Sequence, residues 1–392
     1  MVSTENYGAS VGTKIFAGAA SAKMCSIVRA LKAAGYQAAL VSLPPSGRNS
    51  REQFTHARVL KEDGFPALFL PVPKSRILRK VSGAISFAAF AFSKVRKTDR
   101  VIFYNHAPEY LFALIVLKLR GIEAYHDIED APRNDDRALA GLVNSLIFLA
   151  TSRLTSSKKI VVSTQLAKSL ALQRYLVVSG VSSVASALSQ DKWQNLVSGG
   201  PLRIHFGGTL IPSTGSDIFS DAVVELAEGG HSFNRRIEFV VTGVGEFETM
   251  NAIASRVKSD QISLMILSDL NRSDYSAVLD SCHVSLSLKS PKSSISDTTF
   301  PSKVIEISSR GLALISSIVS DVPKIFCEGN AYLLADYSGS GLATLILQIA
   351  DDPIVLRSTA EAGRSIAHER FSPFSVGKAI SGFILAPEDR AT

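Results

Sequence analysis

A proline-led helix that ends on a glycine and runs straight into a buried apolar run leaves few folds open. Residues 300–317 read Phe-Pro-Ser-Lys-Val-Ile-Glu-Ile-Ser-Ser-Arg-Gly-Leu-Ala-Leu-Ile-Ser-Ser. Pro301 stops what precedes it and suits the first turn of a helix. Val304, Ile305 and Ile307 give that helix an apolar side. Gly311 can take the left-handed conformation that ends a helix. Leu312 to Ile315 then read as a strand buried on both faces, as in a parallel sheet. The order is loop, helix, glycine turn, strand. Ser302, Lys303 and Glu306 stand at the start of the helix, where backbone N–H groups attract anions.

The same alternation recurs along the chain. In the N-terminal half, residues 14–17 read as a strand, Gly18 to Ser21 as a small-residue turn, and Ile27, Val28, Leu31 and Ala34 as one helix face. Small residues after a first strand let a ligand approach the backbone, so Gly18 is a candidate contact. Further strands are expected at 38–43, 67–71 and 101–104. The last delivers Asn105 to Glu109, with His106, to the carboxyl edge of the sheet, where ligands bind in open α/β folds. Residues 122–125 form the next strand and bring His126-Asp127-Ile128-Glu129-Asp130 to that edge. One imidazole beside three carboxylates is costly unless solvated or used. Glu129 and Asp130 are read either as acceptor contacts or as charges paired with Arg133 and Arg137. Strands at 158–164 and 175–181 close this half, and the Ser/Ala/Gln-rich residues 182–200 read as a linker.

The C-terminal half repeats the pattern. Strand 203–206 leads into Gly207-Gly208-Thr209, a glycine-rich loop whose N–H groups could meet phosphate oxygens. Strand 236–241 leads into Thr242-Gly243-Val244-Gly245, and strand 262–267 into Ser268-Asp269-Leu270. Residues 289–299, rich in Ser, Lys and Thr, read as a flexible site loop before the Pro301 helix.

Bulk properties narrow the classes. At 392 residues the chain exceeds one typical core, so two domains are expected. Hydrophobic content of 46% with 20% charged residues is that of a globular protein. Cys25, Cys282 and Cys327 lie far apart without metal-ligand spacing, which favours a reducing compartment. The first residues lack a secretory pattern and no apolar run reaches the roughly 20 residues needed to span a bilayer. Net charge is +7, and residues 1–120 alone carry 18 Lys and Arg against 6 Asp and Glu, so the remainder is slightly acidic. Lys74, Arg76, Arg79 and Lys80 precede one apolar segment; Lys94, Arg96, Lys97 and Arg100 follow it. That reads either as a solvated face around a buried helix or as docking on an anionic membrane. No zinc, RNA-binding or aromatic-interleaved basic motif points to nucleic acid.

Residues 300–317 resemble the donor-sugar motif of retaining glycosyltransferases with the two-domain GT-B fold, in particular family 4. Its bacterial polysaccharide members carry Pro-Ser-Lys-x-x-Glu, as Pro301 to Glu306 do here. The resemblance runs through most of residues 201–385 and is mainly architectural over 14–181. It implies two Rossmann-like doubly wound α/β domains facing each other across a cleft: 1–181 for the acceptor, 182–200 as linker, 201–370 for the nucleotide sugar. Residues 371–392 would be a C-terminal helix crossing back to the first domain. It implies a UDP- or GDP-linked donor, no metal or other cofactor, a glycan or lipid-linked acceptor, and a place in the cytoplasm at the inner face of a membrane. Residue by residue, it puts Glu306 on the ribose; Lys303, Ser302 and the Gly207–Gly208 turn on the diphosphate; Gly243 and Leu270 near the nucleotide; and His126 with Asp127 by the sugar. Gly18, His106 and Glu129 fall to the acceptor. The family's diphosphate Arg and Lys are replaced by Thr209 and Thr214, and the first Glu of its Glu pair falls at Thr298. Lys303 is then the substitute cation, with Lys289 and Lys292 next. The alternative implied by these losses is a partner subunit that keeps the fold without donor chemistry.

Overall fold

The computed structural model describes residues 2–3, 18–44, 57–62, 65–73, 76–132, 139–182, 190–231, 234–245, 247–257, 259–293, 296 and 298–387. The chain divides into two compact units: residues 1–181 with 372–392, and residues 182–371. Each is a mainly parallel sheet with helices on its faces.

The strands of the first unit are β1 (Val2–Ser3), β2 (Leu40–Ser42), β3 (Arg58–Glu62), β4 (Phe65–Phe69), β5 (Val101–Tyr104), β6 (Ala124–Ile128), β7 (Lys159–Val161) and β8 (Tyr175–Val177). Among the described residues their spatial order is β3-β4-β2-β1-β5-β6-β7-β8, with β3 antiparallel to β4 and the other pairs parallel. The chain lays β2 and β4 on one side of β1 and β5 to β8 on the other, so the order reverses between β1 and β5. The expected strand at 14–17 lies outside the described residues, as do Arg133 and Arg137. Gly18 to Ser21 are not a turn but the first residues of the helix Gly18–Ala33. Strand β3 has no apolar alternation to announce it, because Arg58, Lys61 and Glu62 break the pattern.

Helices cover both faces of this sheet. On one face the helix Gly18–Ala33 lies against Pro373–Leu385, so close that a Cβ on Gly377 would sit 1.9 Å from the Ala30 carbonyl oxygen. Lys158 is 2% exposed, and its Nζ donates to the Phe383 carbonyl (3.2 Å) and to that of Ala386. Tyr125 Oη also donates to the Ile384 carbonyl, 2.7 Å away. On the other face the helix Arg76–Ser93 packs on Leu111–Leu119, which packs on Leu139–Leu154. Phe87 and Leu114 on their inner sides, with Tyr110 just before the second of them, lie in the core. Their outer sides are also apolar. Leu139, Leu142, Val143, Leu146 and Leu149 are exposed at the i, i+3, i+4, i+7 spacing of one helix face.

The second unit has β9 (Leu202–Leu210), β10 (Ile237–Gly245), β11 (Ile262–Ser268), β12 (Val284–Ser287), β13 (Ala313–Ser317) and β14 (Tyr332–Leu334), in the order β11-β10-β9-β12-β13-β14, all parallel. The order reverses between β9 and β12. Two expectations need correction. Residues 182–200 are not simply a linker: Gln190–Val197 is a helix, and Trp193 and Leu196 are buried in this unit's core. The stretch Gly207 to Thr209 is not a loop either. It continues β9, pairing Gly207 with Thr242, Gly208 with Gly243 and Thr209 with Val244. The extension is possible because Gly208 and Gly243 take φ of +113° and +134°, and a Cβ on Gly243 would lie 1.9 Å from the Gly208 oxygen.

The Pro301 stretch folds as its residues dictate. Lys303–Ser309 is a helix, Gly311 takes φ +68°, and β13 follows. The Gly311 N–H donates to Ser308 O (2.9 Å) and the Leu312 N–H to Ile307 O (3.3 Å), the paired bonds of a Schellman ending.

Candidate functional site

In an open α/β sheet, the carboxyl ends of the strands on either side of an order reversal diverge and leave a crevice. In the second unit that point lies between β9 and β12. Lys303, carried by the helix before β13, donates from Nζ to the carbonyl of Gly207 on β9. The same Nζ occupies the space beside Gly208, 2.6 Å from where a Cβ would stand. A side chain on Gly208 would therefore push the ammonium away. Burial lowers the Lys303 pKa to about 8, partly opposed by Glu306.

Below this lysine is a buried polar layer. His205 is fully buried on β9. Its Nδ1 lies 2.8 Å from Ser285 Oγ and its Nε2 2.8 Å from Thr242 Oγ1. Burial first, and Lys303 second, push its pKa down to about 3, so the ring is neutral. A neutral ring can donate at one nitrogen and accept at the other, and both positions are filled. His205 thus braces the ends of three strands under the glycine pair. It is not among the residues expected above; a lone histidine in the apolar run Ile204-His205-Phe206 is the signal that could have found it.

The remaining candidates of this unit divide. Glu306, half-buried, has Arg310 Nε 3.8 Å from its Oε1; Arg310 also binds Asp280 (2.9 Å) and Ser276 (2.7 Å). Nearby Tyr275 has its phenol pKa raised, by burial and then by Glu306. Ser302 is exposed and its side chain makes no capping bond. The expected row of free N–H groups at this helix start is shortened: Val304 N–H donates to Pro301 O (3.0 Å) and Ile305 N–H to Ser302 O (3.1 Å). Lys289 Nζ donates to Thr299 Oγ1, while Lys292 is exposed. Thr209 is exposed. Thr214 Oγ1 lies against the carbonyls of Thr209 and Ile211, so its hydroxyl closes a local turn. Leu270 is half-buried beyond Asp269, which has φ +53°.

In the first unit the order reversal lies between β1 and β5, and Asn105 closes β5 with φ +53°. Its N–H donates to Asp127 O (2.7 Å), and its Oδ1 accepts from the N–H groups of Glu129 (2.8 Å) and Asp130 (3.0 Å). This fixes the loop after β6. Lys23, from the helix Gly18–Ala33, pairs with Glu129 and lies 3.9 Å from Asp127 Oδ1. Desolvation by itself would lower the Lys23 pKa, but Asp127 and Glu129 together outweigh it and raise the value. Asn105 lies in the loop expected at this edge, though with no role assigned to it; Lys23 is not among the residues expected above, and a lone cation among Gly18 to Met24 is the available clue.

Here the structure revises the reading of the histidines. His126 and Asp127 have no exposed surface, so neither presents its side chain to a sugar in this conformation. The His126 ring lies 5.7 Å from Phe148, with Nδ1 3.3 Å from Ser152 Oγ, and burial pushes its pKa down to about 3. The Asp127 carboxyl has no hydrogen-bond partner for either oxygen, and burial pushes its pKa up to about 6. His106 is half-buried, with Nε2 2.9 Å from Asn144 Oδ1 and its pKa lowered by burial. Groups with exposed surface at this edge include Asp130, which is exposed, and the partly exposed Asn105, His106 and Glu129, the last paired with the nearly covered Lys23. Gly18 lies within a helix rather than at a strand end. Among the described residues no group of three or more His, Cys, Asp or Glu could hold a metal ion.

No protein-family profile matches the chain, and no curated protein sequence matches it. Solved structures do match. Sucrose-phosphate synthase of Thermosynechococcus elongatus is 13% identical, with 98% of this chain and 97% of that chain covered at a TM-score of 0.65. Anabaena HepE, solved with UDP and glucose, is 13% identical, with 98% and 99% covered at 0.64. A glycosyltransferase from Rickettsia africae is 13% identical, with 95% and 97% covered at 0.63. At that identity the likeness shows the fold. The chain has two Rossmann-like doubly wound α/β units, as GT-B glycosyltransferases do.

Proposed function

We propose that the chain is a glycosyltransferase of the GT-B type that uses a nucleotide-sugar donor bound by its second unit. One observation carries this reading: the Lys303 ammonium stands at the order reversal of that sheet, against the closely apposed glycines Gly207, Gly208 and Gly243. A cation beside side-chain-free backbone suits an anion that must approach closely, and a leaving diphosphate is such an anion. HepE was solved with UDP and with UDP-glucose, which supports a uridine-linked donor here.

In this reading Lys303 neutralises the diphosphate in place of the family's Arg and Lys, and Glu306 binds the ribose, exchanging its contact with Arg310. Gly243 and Leu270 border the nucleotide, with Ser302 at the helix start and Lys289 on the loop before it. The bond from the anomeric carbon to the diphosphate breaks, a bond to the acceptor oxygen forms, and the acceptor proton passes to the leaving diphosphate. The resemblance of Pro301 to Glu306 to family 4 supports retention of configuration, metal independence and a role in polysaccharide or lipid-linked oligosaccharide assembly. In the first unit Glu129 and His106 contact the acceptor. Asp127 holds Lys23 in place, and His126 packs beneath. The basic excess of residues 1–120 supports an acceptor presented at an anionic membrane surface.

Calorimetry with UDP-glucose, other UDP-sugars and GDP-sugars tests the proposal. Binding of one of them, weakened by Lys303→Ala, is expected. No binding by folded protein would instead favour a partner subunit without donor chemistry, the reading that the bonded state of Thr214 and the Arg310 contact of Glu306 would then support.

A further inference from the structure

We propose that the outer face of the helices Arg76–Ser93, Leu111–Leu119 and Leu139–Leu154 is a docking surface for an anionic lipid bilayer, lying in its interface rather than crossing it. The proposal gives the membrane contact suggested above a specific site; it rests on that reading only for what the membrane presents.

Strands β4, β5, β6 and β7 are neighbours or near neighbours laid down in one direction, so right-handed connections place these three helices side by side and parallel on one face. Each turns an apolar stripe to solvent. Leu78, Val81, Ile85 and Phe92 share one face of the first helix; Phe112, Ile115 and Leu119 share one face of the second. The third carries the leucine and valine stripe described above. Exposure is high where it matters: Phe92 69%, Leu119 82% and Leu139 78%. Scattered exposed apolar residues are ordinary, but adjoining stripes on three contiguous helices are not.

Charge selects the occupant. The three helices contain no Asp or Glu, and their only charged residues are Arg76, Arg79, Lys80, Lys118 and Arg153. Because the helices are parallel, their C-terminal ends lie together. Exposed Lys94, Arg96 and Lys97 follow the first end, Lys118 and Arg120 mark the second, and Arg153 the third. The Arg120 guanidinium donates to the Ala91 carbonyl and lies 5.9 Å from the Phe92 ring centroid, joining the basic end to the apolar stripe. Asp99 and Glu123 are the nearby acids. Asp99 accepts from the Arg96 N–H (2.8 Å) and Glu123 pairs with Arg100 (3.1 Å). Basic residues at helix C-termini also answer the helix dipole, but the stripes beside them do not. A second copy of the chain would bring like charge against like, whereas anionic headgroups over acyl chains match both features. Among the described residues no single helix is long and apolar enough to span a membrane.

The test is co-sedimentation of the full chain with vesicles of phosphatidylcholine alone and of phosphatidylcholine with phosphatidylglycerol, at low and high salt. Binding to the anionic vesicles that falls with salt is expected. Leu119→Glu with Leu146→Glu, and separately Lys94→Glu with Lys97→Glu, are each expected to lower the partition coefficient by about tenfold or more. Melting temperature and nucleotide-sugar binding, measured on the same samples, show that each variant is folded. Wild-type protein that ignores anionic vesicles overturns the proposal, as does folded variant protein that binds like wild type. Lipid-independent dimerisation abolished by the Glu variants, without vesicle binding, assigns the face to a second copy and equally overturns it. Vesicle binding needs no nucleotide, so a failure here and a failure of the transferase reading are separable.

Discussion

Lys303 Nζ donates to the carbonyl of Gly207, 96 residues away, and fills the place where a side chain on Gly208 would stand. The lysine and the glycines explain each other. Glycine at 208 leaves room for the ammonium, and the ammonium holds the end of β9 against the helix that opens the Pro301 stretch.

Replacing this lysine separates it from its neighbours. Lys303→Ala should weaken UDP-sugar binding by about 10- to 100-fold, the range for losing one charge-assisted contact. Lys292→Ala should change it less than about threefold, because an exposed lysine is screened by solvent. Titration calorimetry of both variants checks this; equal losses would mean that the cation has been misassigned.

The pH profile of binding carries the same signature. Burial lowers the Lys303 pKa to about 8 in the free protein, and a bound diphosphate favours the charged form, raising it. Affinity for a UDP-sugar should therefore be flat below pH 8 and fall above it, by up to about tenfold for each further step of one in pH. The profile of Lys303→Ala should show no such fall. A wild-type affinity constant from pH 7 to pH 9.5 would exclude the lysine from diphosphate binding.

Asp127 makes a prediction about stability. Its carboxyl pKa is pushed up to about 6 by burial, against the pull of Lys23. The folded value lies above the unfolded one, so the folded state holds the proton between about pH 4 and pH 6. This contribution is complete below pH 4 and lost as pH rises through 6. Asp127→Asn removes that dependence. From pH 4 to pH 7.5 the stability difference should move toward the variant by roughly 2–3 kcal/mol, because each tenfold change in proton affinity is worth about 1.4 kcal/mol. Urea unfolding at the two pH values reads it, and parallel curves would contradict the raised pKa of this buried carboxyl.

The C-terminal helix is held by a buried lysine. Lys158 donates to the carbonyls of Phe383 and Ala386, at the end of Pro373–Leu385. Lys158→Met keeps much of the side chain's bulk and removes both bonds, leaving two part-buried carbonyls without this donor. A loss of about 2–3 kcal/mol is expected in urea unfolding, with faster proteolysis after residue 372. A variant as stable and as resistant as wild type would show that the helix is held by its apolar face alone.

Local chemistry made much of this molecule readable from its sequence. The Pro301 helix, its Gly311 ending and β13 follow from φ restriction, helix capping and an apolar run, all set within a few residues. The alternation of strand and helix, and hence two doubly wound units, follows from periodicity of the same short range. The sequence could not show that Gly207 and Gly208 extend a strand, because that depends on Gly243 lying beside them. Nor could it show that His126 and Asp127 are buried, that Asn105 orders the loop after β6, or that Lys23 pairs with Glu129. Those are contacts between distant segments, fixed only when the sheet order brings strand ends together. Burial then decides which charges persist, so the identities of the ionisable groups were legible in the chain while their protonation and reach belong to the tertiary structure.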